Sequence, residues 1–450
     1  MPTDSEPTPV VDTGLLNPVS VGHDRIVSDA EIVAAMVAVE VALVRTLGSI
    51  GVAPFEAVAA IERASASLDI DPAELAAEAV SDGNPVIPLV KRMRAAVDAE
   101  TGLWVHRGAT SQDIVDSALA VVAHRATAQI IDDLDRVIAA LARLAKQYRE
   151  TPAVARTLTQ HAVPTTVGAR FADWLWQVAD ARDELARSTL PAQLGGAAGT
   201  LAVLVESLGV ERAAQVPAAF ASALGLAGYD APWHTRRTAI TRLGDAITRA
   251  TDALGRIATD VATLTRTEIG ELFEPSGGGS SAMPQKQNPV RSVLVRSASL
   301  RAPQLAATLH VSAATAVDER PDGAWHAEWP ALRELLRLAL GAAAHAADLA
   351  EGLRVDEAAV ARNLALGGGA VMSERVMLVA APFIGRARVQ EIIDLAGKGE
   401  DLAELLRAEP ALIGVDVPAL LDPTGYIGFA TAVVDRAVAR AEAIERSRAS

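Results

Sequence analysis

Residues 275 to 289, Pro-Ser-Gly-Gly-Gly-Ser-Ser-Ala-Met-Pro-Gln-Lys-Gln-Asn-Pro, deliver a hydroxyl, an amine and an amide into one short space behind a run of glycines. Gly277, Gly278 and Gly279 reach backbone angles closed to other residues, so the run can swing. Pro284 and Pro289 fix its far end, and Pro289 suits the first turn of a following helix. The chemistry on offer is that of Ser280, Lys286 and Asn288, and this is the composition of an active-site loop. Lysine is scarce elsewhere: Lys91, Lys146, Lys286 and Lys398 are the four lysines among 41 basic residues. A chain so biased to arginine has a reason to keep a lysine here; the bland alternative is a Gly-rich linker with an accidental one.

Two weaker constellations accompany the loop. His-Arg-Gly-Ala-Thr-Ser-Gln-Asp at 106 to 113 places small hydroxyl residues just before an apolar helical run containing Ile114, Leu119 and Val122. Thr110 or Ser111 can be simply an N-cap, or the free N–H groups of that helix start can receive a carboxylate. Arg-Thr-Leu-Thr-Gln-His-Ala-Val-Pro-Thr-Thr at 156 to 166 presents His161 in a polar cluster ahead of another helix. A lone histidine is more often structural than catalytic, and both readings of His161 stand.

The elements that must position these groups are helical. From Ile240 through Leu243, Ile247, Ala250, Leu254, Ile257 and Val261 to Leu264, apolar residues recur every three or four positions, one seam along roughly seven turns. Ile130, Leu134, Ile138, Leu141, Ala145 and Tyr148 form a second seam, and Leu332, Leu335, Leu336 and Leu340 a third. No series of alternating, β-branched strands is evident, so an all-α fold is expected. Gly51, Pro54, Pro72 and Ser-Asp-Gly-Asn-Pro at 81 to 85 punctuate the early chain, and Gly367, Gly368, Gly369 and Pro382 the late chain. Three parts follow: 1–105 with shorter helices, 106–345 with the long seams, and 346–450 with shorter helices again. Seams this long are expected to exceed what one chain covers, which points to homo-oligomerisation.

Composition narrows the partners. A net charge of −15 argues against nucleic acid or an anionic membrane surface, and zero cysteines exclude disulfides and thiolate metal sites. No basic N-terminal region precedes an apolar run, and no stretch approaches about 18 uninterrupted apolar residues. A cytoplasmic protein acting on a small molecule is the expectation.

The three chemistry-bearing stretches, in this order on a helical chain, resemble the fumarase/aspartase superfamily, and Gly-Ser-Ser-Ala-Met-Pro-Gln-Lys-Gln-Asn-Pro at 279 to 289 is highly specific for it. The resemblance covers essentially the whole chain. It implies a three-domain fold round a central long-helix bundle, and a homotetramer whose sites are each shared by three subunits. It also implies roles: Ser280 as the loop catalytic residue, Lys286 and Asn288 on one substrate carboxylate, Thr110 and Ser111 on another.

The departures are informative. In fumarase-like members a histidine follows the pair matching Arg156-Thr157, and a glutamate lies seven positions after the loop lysine; this chain has Leu158 and Val293 there. That pair handles the proton on a water or amine, which a nucleophile already ionised as a carboxylate does not need. Within the superfamily this condition describes the 3-carboxy-cis,cis-muconate cycloisomerase branch, in which a substrate carboxylate adds across its own double bond. Gly-Asn-Pro-Val-Ile-Pro-Leu-Val at 83 to 90, Gln-His-Ala at 160 to 162, Pro-Trp-His-Thr-Arg-Arg at 232 to 237 and Ala-Glu-Trp-Pro at 327 to 330 are similar to that branch. Arg107 and Gln287 depart from it, moving one positive charge.

The resemblance implies conversion of 3-carboxy-cis,cis-muconate, a tricarboxylate, to 4-carboxymuconolactone without metal or organic cofactor. Attack on the alkene drives charge onto a neighbouring carboxylate as an aci-carboxylate, which preorganised donors must hold. His106, Gln160 and Arg236 join Thr110, Ser111 and Asn288 as substrate-binding candidates. Ser280 is the first candidate proton donor and His161 the second. Leu158 and Val293 are expected to fill apolar space. The alternatives are a superfamily lyase releasing fumarate, and a chain kept for structure without turnover.

Overall fold

The computed structural model describes residues 12–275, 278–279, 283 and 286–449. Ser280 lies outside the described residues. The chain divides into two compact units: one takes the chain up to Asp132 with Ala181–Asp252 and Ser297–Ala344, the other Asp133–Asp180, Ala253–Arg296 and the chain from His345 onward.

The architecture is all-α, as the periodicity requires. The long helices are Ser111–Gln147, Thr238–Leu264, Val290–Ala314 and Gly323–Gly352. Every residue of the seam from Ile240 to Leu264 is buried, none more than 5% exposed. The expectation that this seam outruns its own chain is therefore corrected: the helices of one chain already cover it. Unpaired apolar surface lies elsewhere, on Val290–Ala314, where Val293, Leu300 and Val311 are 53%, 71% and 64% exposed.

In the first unit the punctuation acts as anticipated. Ser28 caps Asp29–Ser49 by accepting from the Glu31 N–H, and Asp71 caps Pro72–Asp82 from ahead of a proline. Gly83 ends that helix at φ 72°, a conformation that suits glycine. Asp29–Ser49 and Ser111–Gln147 are long and apolar enough to cross a membrane by length and composition, although polar residues such as Glu40 and Asp113 interrupt them. Most of each apolar stretch is buried inside the protein.

In the second unit a hairpin, Pro152–Thr157 with Gln160–Thr166, precedes the helix Val167–Arg187. The polar cluster around His161 is thus a β-hairpin. Val154 from its first strand enters an apolar core with Leu364, Met372, Val376, Ile392 and Leu406 from the short C-terminal helices. Aspartates cap several of these helices, among them Asp356, Asp401 and Asp416. Gly278–Gly279 pairs antiparallel with Gln287–Asn288, and Val290–Ala314 starts immediately after Pro289.

Candidate functional site

The first unit holds the stretch 106–111 between two buried carboxylates. At one end His106 Nδ1 lies 2.6 Å from Glu40 Oε1, and Glu40 is wholly buried. His106 adopts φ 64°, unusual for a residue with a side chain, and Gly108 follows at φ 79°. At the other end Asp113, in the first turn of Ser111–Gln147, accepts from the Thr110 N–H at 2.9 Å. This is the reciprocal half of a capping box, with aspartate at its third position. The hydroxyls of Thr110 and Ser111 make no hydrogen bond among the described residues, so at this helix start the side chains are not spent on capping.

Asp113 has three further donors. The N–H groups of Gly195 and Gly196 each lie 2.9 Å from it, and His234 Nε2 lies at 2.7 Å. One turn along, Asp116 receives both terminal nitrogens of Arg237, Gln112 Nε2 and the Trp325 indole N–H. Arg237 is shared with Glu328. Burial opposes the Arg237 charge, yet Asp116 and Glu328 hold its guanidinium well above the usual range. Burial pushes the Glu328 carboxyl up against the pull of Arg237, with the Asp116 charge adding to the rise. Ser117 completes the face by bonding to the backbone of Gln193. One face of one helix thereby fixes the segments 193–196 and 233–237.

These anchors were not singled out from sequence. Asp113 carries a signal, an acid three residues after a hydroxyl N-cap. His234 and Arg237 sit inside Pro-Trp-His-Thr-Arg-Arg, where attention fell on Arg236. Arg236 is exposed in this chain, bonded to the Ala231 and Pro232 carbonyls and stacked 5.1 Å over Tyr229.

In the second unit Gln160 and His161 lie on the second hairpin strand, Gln160 opposite Thr157 and His161 opposite Arg156. Both are exposed at the hairpin tip. Leu158 and Thr159 form the two-residue turn with φ 48° and 71°, the positive angles that a tight hairpin demands. Leu158 is 96% exposed. In the single chain neither Leu158 nor Val293 fills apolar space, because the turn pushes one outward and the other lies on the exposed face of its helix, so apolar surroundings for them would have to come from another subunit.

Beneath the tip the buried Glu271 carboxylate accepts from Arg156 at 2.5 Å, Arg170 at 3.2 Å and Asn363 at 2.8 Å. Burial works against its charge, but the Arg156 and Asn363 hydrogen bonds and the two guanidinium charges outweigh it, holding the carboxyl below the ordinary range. Burial, together with the like charge of Arg156, lowers Arg170. Arg156 is thus tied down on the strand position facing His161.

Lys286 is exposed, its N–H bonded to the Met283 carbonyl, and Asn288 pairs with Gly278. Glu274 accepts from the Arg291 and Ser292 N–H groups, capping Val290–Ala314 from outside and setting where the loop re-enters a helix. No hydrogen bond among the described residues joins Gln160 or His161 to Lys286 or Asn288. The structure groups His106, Thr110 and Ser111 on one loop and the helix start that follows it in the first unit, and places His161, Gln160, Lys286 and Asn288 in two segments of the second, Asn288 half-buried and the other three exposed.

The chain belongs to the lyase family of the fumarase/aspartase superfamily, whose lyase pattern matches residues 21–303. It is 47% identical to nitrosuccinate lyase of Streptomyces davaonensis, over 95% of either chain. It is 40% identical to 3-carboxy-cis,cis-muconate cycloisomerase of Pseudomonas aeruginosa, over 93% of this chain and 94% of that one. The crystal structure of 3-carboxy-cis,cis-muconate lactonizing enzyme from Pseudomonas putida superposes with a TM-score of 0.87 at 35% identity, covering 95% of this chain and 99% of the other.

Proposed function

We propose that this enzyme makes or breaks a bond β to a carboxylate through an aci-carboxylate, and that its substrate is 3-carboxy-cis,cis-muconate, converted to 4-carboxymuconolactone in protocatechuate breakdown. The observation that carries it is the helix start at Thr110 and Ser111. Its two hydroxyls make no hydrogen bond among the described residues, and the loop before it is held rigid by Glu40 and Asp113. Such a start stabilises an anion by its N–H groups and dipole, and hydroxyl donors add direction. Lys286 and Asn288 supply the second set of donors where charge develops.

In the reaction a substrate carboxylate oxygen bonds to the alkene carbon, and the π electrons move onto the adjacent carboxylate. The carbon between then takes a proton, from Ser280 first or from His161, and the donor recovers one from solvent. Intramolecular attack removes the entropy of bringing two reactants together, so the protein's task is chiefly electrostatic. Leu158 and Val293 are consistent with a nucleophile that needs no base. The working form is a homotetramer in the cytoplasm, with sites drawing Thr110, His161 and Lys286 from different subunits.

A second reading is favoured by the 47% identity to nitrosuccinate lyase. Loss of a C–H proton and of nitrite from nitrosuccinate gives fumarate through the same aci-carboxylate. Nitrite departs as a stable anion, so this reaction too dispenses with a proton donor at the leaving group. The two are separated by presenting each substrate singly to the purified enzyme. The expected result is loss of muconate absorbance with lactone formation and no nitrite from nitrosuccinate. Stoichiometric nitrite and fumarate from nitrosuccinate, with 3-carboxymuconate untouched, would establish the lyase reading instead.

A further inference from the structure

The superfamily's usual histidine–glutamate pair is replaced here by Leu158 and Val293, yet the structure contains a different one. Glu40 lies mid-helix in Asp29–Ser49 at 0% exposure, and His106 Nδ1 is 2.6 Å from its Oε1. No other side chain among the described residues donates to Glu40, and its Oε2 is buried without a partner. A buried carboxylate with no lysine or arginine beside it is costly unless a neighbour compensates its charge. The His106 imidazole is in position to donate to it.

We propose that Glu40 is a positioning residue that holds His106 through Nδ1 and so leaves Nε2 to meet the substrate at the loop that ends in Thr110 and Ser111. A carboxylate only accepts, so the ring nitrogen bonded to Glu40 is the one that carries the N–H. With Nδ1 committed to Glu40, Nε2 has no hydrogen-bond partner among the described residues. The loop is built to keep this arrangement. His106 sits at φ 64°, Arg94 bonds the Val105 carbonyl at 3.0 Å, Arg107 stacks 4.6 Å over Trp104, and Asp113 ties down Thr110. Of the charged groups among the described residues, Glu40 alone bonds the ring. Arg94, Arg107 and Asp113 are each engaged with other partners.

The pair acts on binding more than on bond making. It rests on the reading that the 106–111 loop receives a substrate carboxylate, and the tests separate the two. In the assembled full-length enzyme, Glu40→Gln is expected to raise KM roughly tenfold or more, the range for losing a charge-assisted hydrogen bond, while kcat changes far less. Glu40→Asp should recover part of the affinity. Nitrogen-15 histidine spectra of the wild-type enzyme should show one ring whose Nδ1 proton is held in a strong hydrogen bond, a signal lost in His106→Gln and altered in Glu40→Gln. Should Glu40→Gln not fold, His106→Gln must show the same KM increase. An unchanged KM in Glu40→Gln, alongside a raised KM in Thr110→Val, would overturn the pair and leave the loop site standing. A normal KM in both Thr110→Val and Ser111→Ala would overturn the loop site itself.

Discussion

Lys286 and Glu271 show two opposite uses of charge. Lys286 is exposed on the glycine loop and its side chain makes no hydrogen bond among the described residues, so Lys286→Met should leave folding intact and lower turnover by at least about a hundredfold, the range for one preorganised donor. Steady-state rates beside an unchanged thermal transition check this, and near-normal turnover would remove Lys286 from the site. Glu271 is buried and shared between Arg156 and Arg170, so Glu271→Gln leaves two guanidinium groups short of a counter-charge. A loss of about 3–5 kcal/mol is expected in denaturant unfolding. The sign of its pH dependence follows from a depressed carboxyl: the stabilisation is complete above the unfolded carboxyl value and is lost as pH falls through the lower folded one. The wild-type protein should therefore lose more stability than Glu271→Gln on acidification through that window.

Among elements, the hairpin carries the clearest local conflict. Leu158 and Thr159 occupy left-handed backbone at φ 48° and 71°, each at a cost of about 1–2 kcal/mol for a residue with a β-carbon. Replacing them together by Asn and Gly should raise stability by about 1 kcal/mol or more, read from the denaturation midpoint at constant slope. A destabilised double variant would show that the Leu158 side chain, exposed as it is, makes a compensating contact in the assembled protein. The hairpin itself was hard to see beforehand. Its strands are short, the turn lacks the Asn-Gly signature, and Pro164 in the second strand reads as a breaker. The long helices were legible because an apolar repeat over many turns has one solution. The helix start at Ser111 was legible because hydroxyl residues before an apolar run serve as caps or anion sites.

At the scale of the whole molecule, the case for assembly moves from the seam to a different helix. The seam from Ile240 to Leu264 is covered within the chain, whereas Leu300 and Val311 stand exposed on Val290–Ala314. If the chain assembles through this face, as proposed, Leu300→Glu should give smaller species than wild type without unfolding, measured by sedimentation velocity and circular dichroism. A full-size assembly carrying that charge would exclude this face from the interface. If sites draw on several chains, Ser280→Ala and Thr110→Val, each poorly active alone, should regain part of the activity when unfolded and reassembled together, since some mixed sites receive neither lesion. No recovery in verified mixed oligomers would refute shared sites.

The sequence by itself determined the all-α class, the seams, the helix starts and which polar groups the glycine loop offers. These are properties of residue spacing and type: a repeat of three and four selects a helix face, and a hydroxyl, an amine and an amide are read directly from residue type. Only the tertiary structure decided which groups are spent on each other. Asp113 bonds residues some 80 and 120 positions away, Arg237 is shared between Asp116 and Glu328, and Glu40 finds His106 across 66 residues. Leu158 points outward because two positive φ angles turn the chain there, although its type alone reads as core. Burial and pairing are set by contacts between distant segments, and local composition does not encode them.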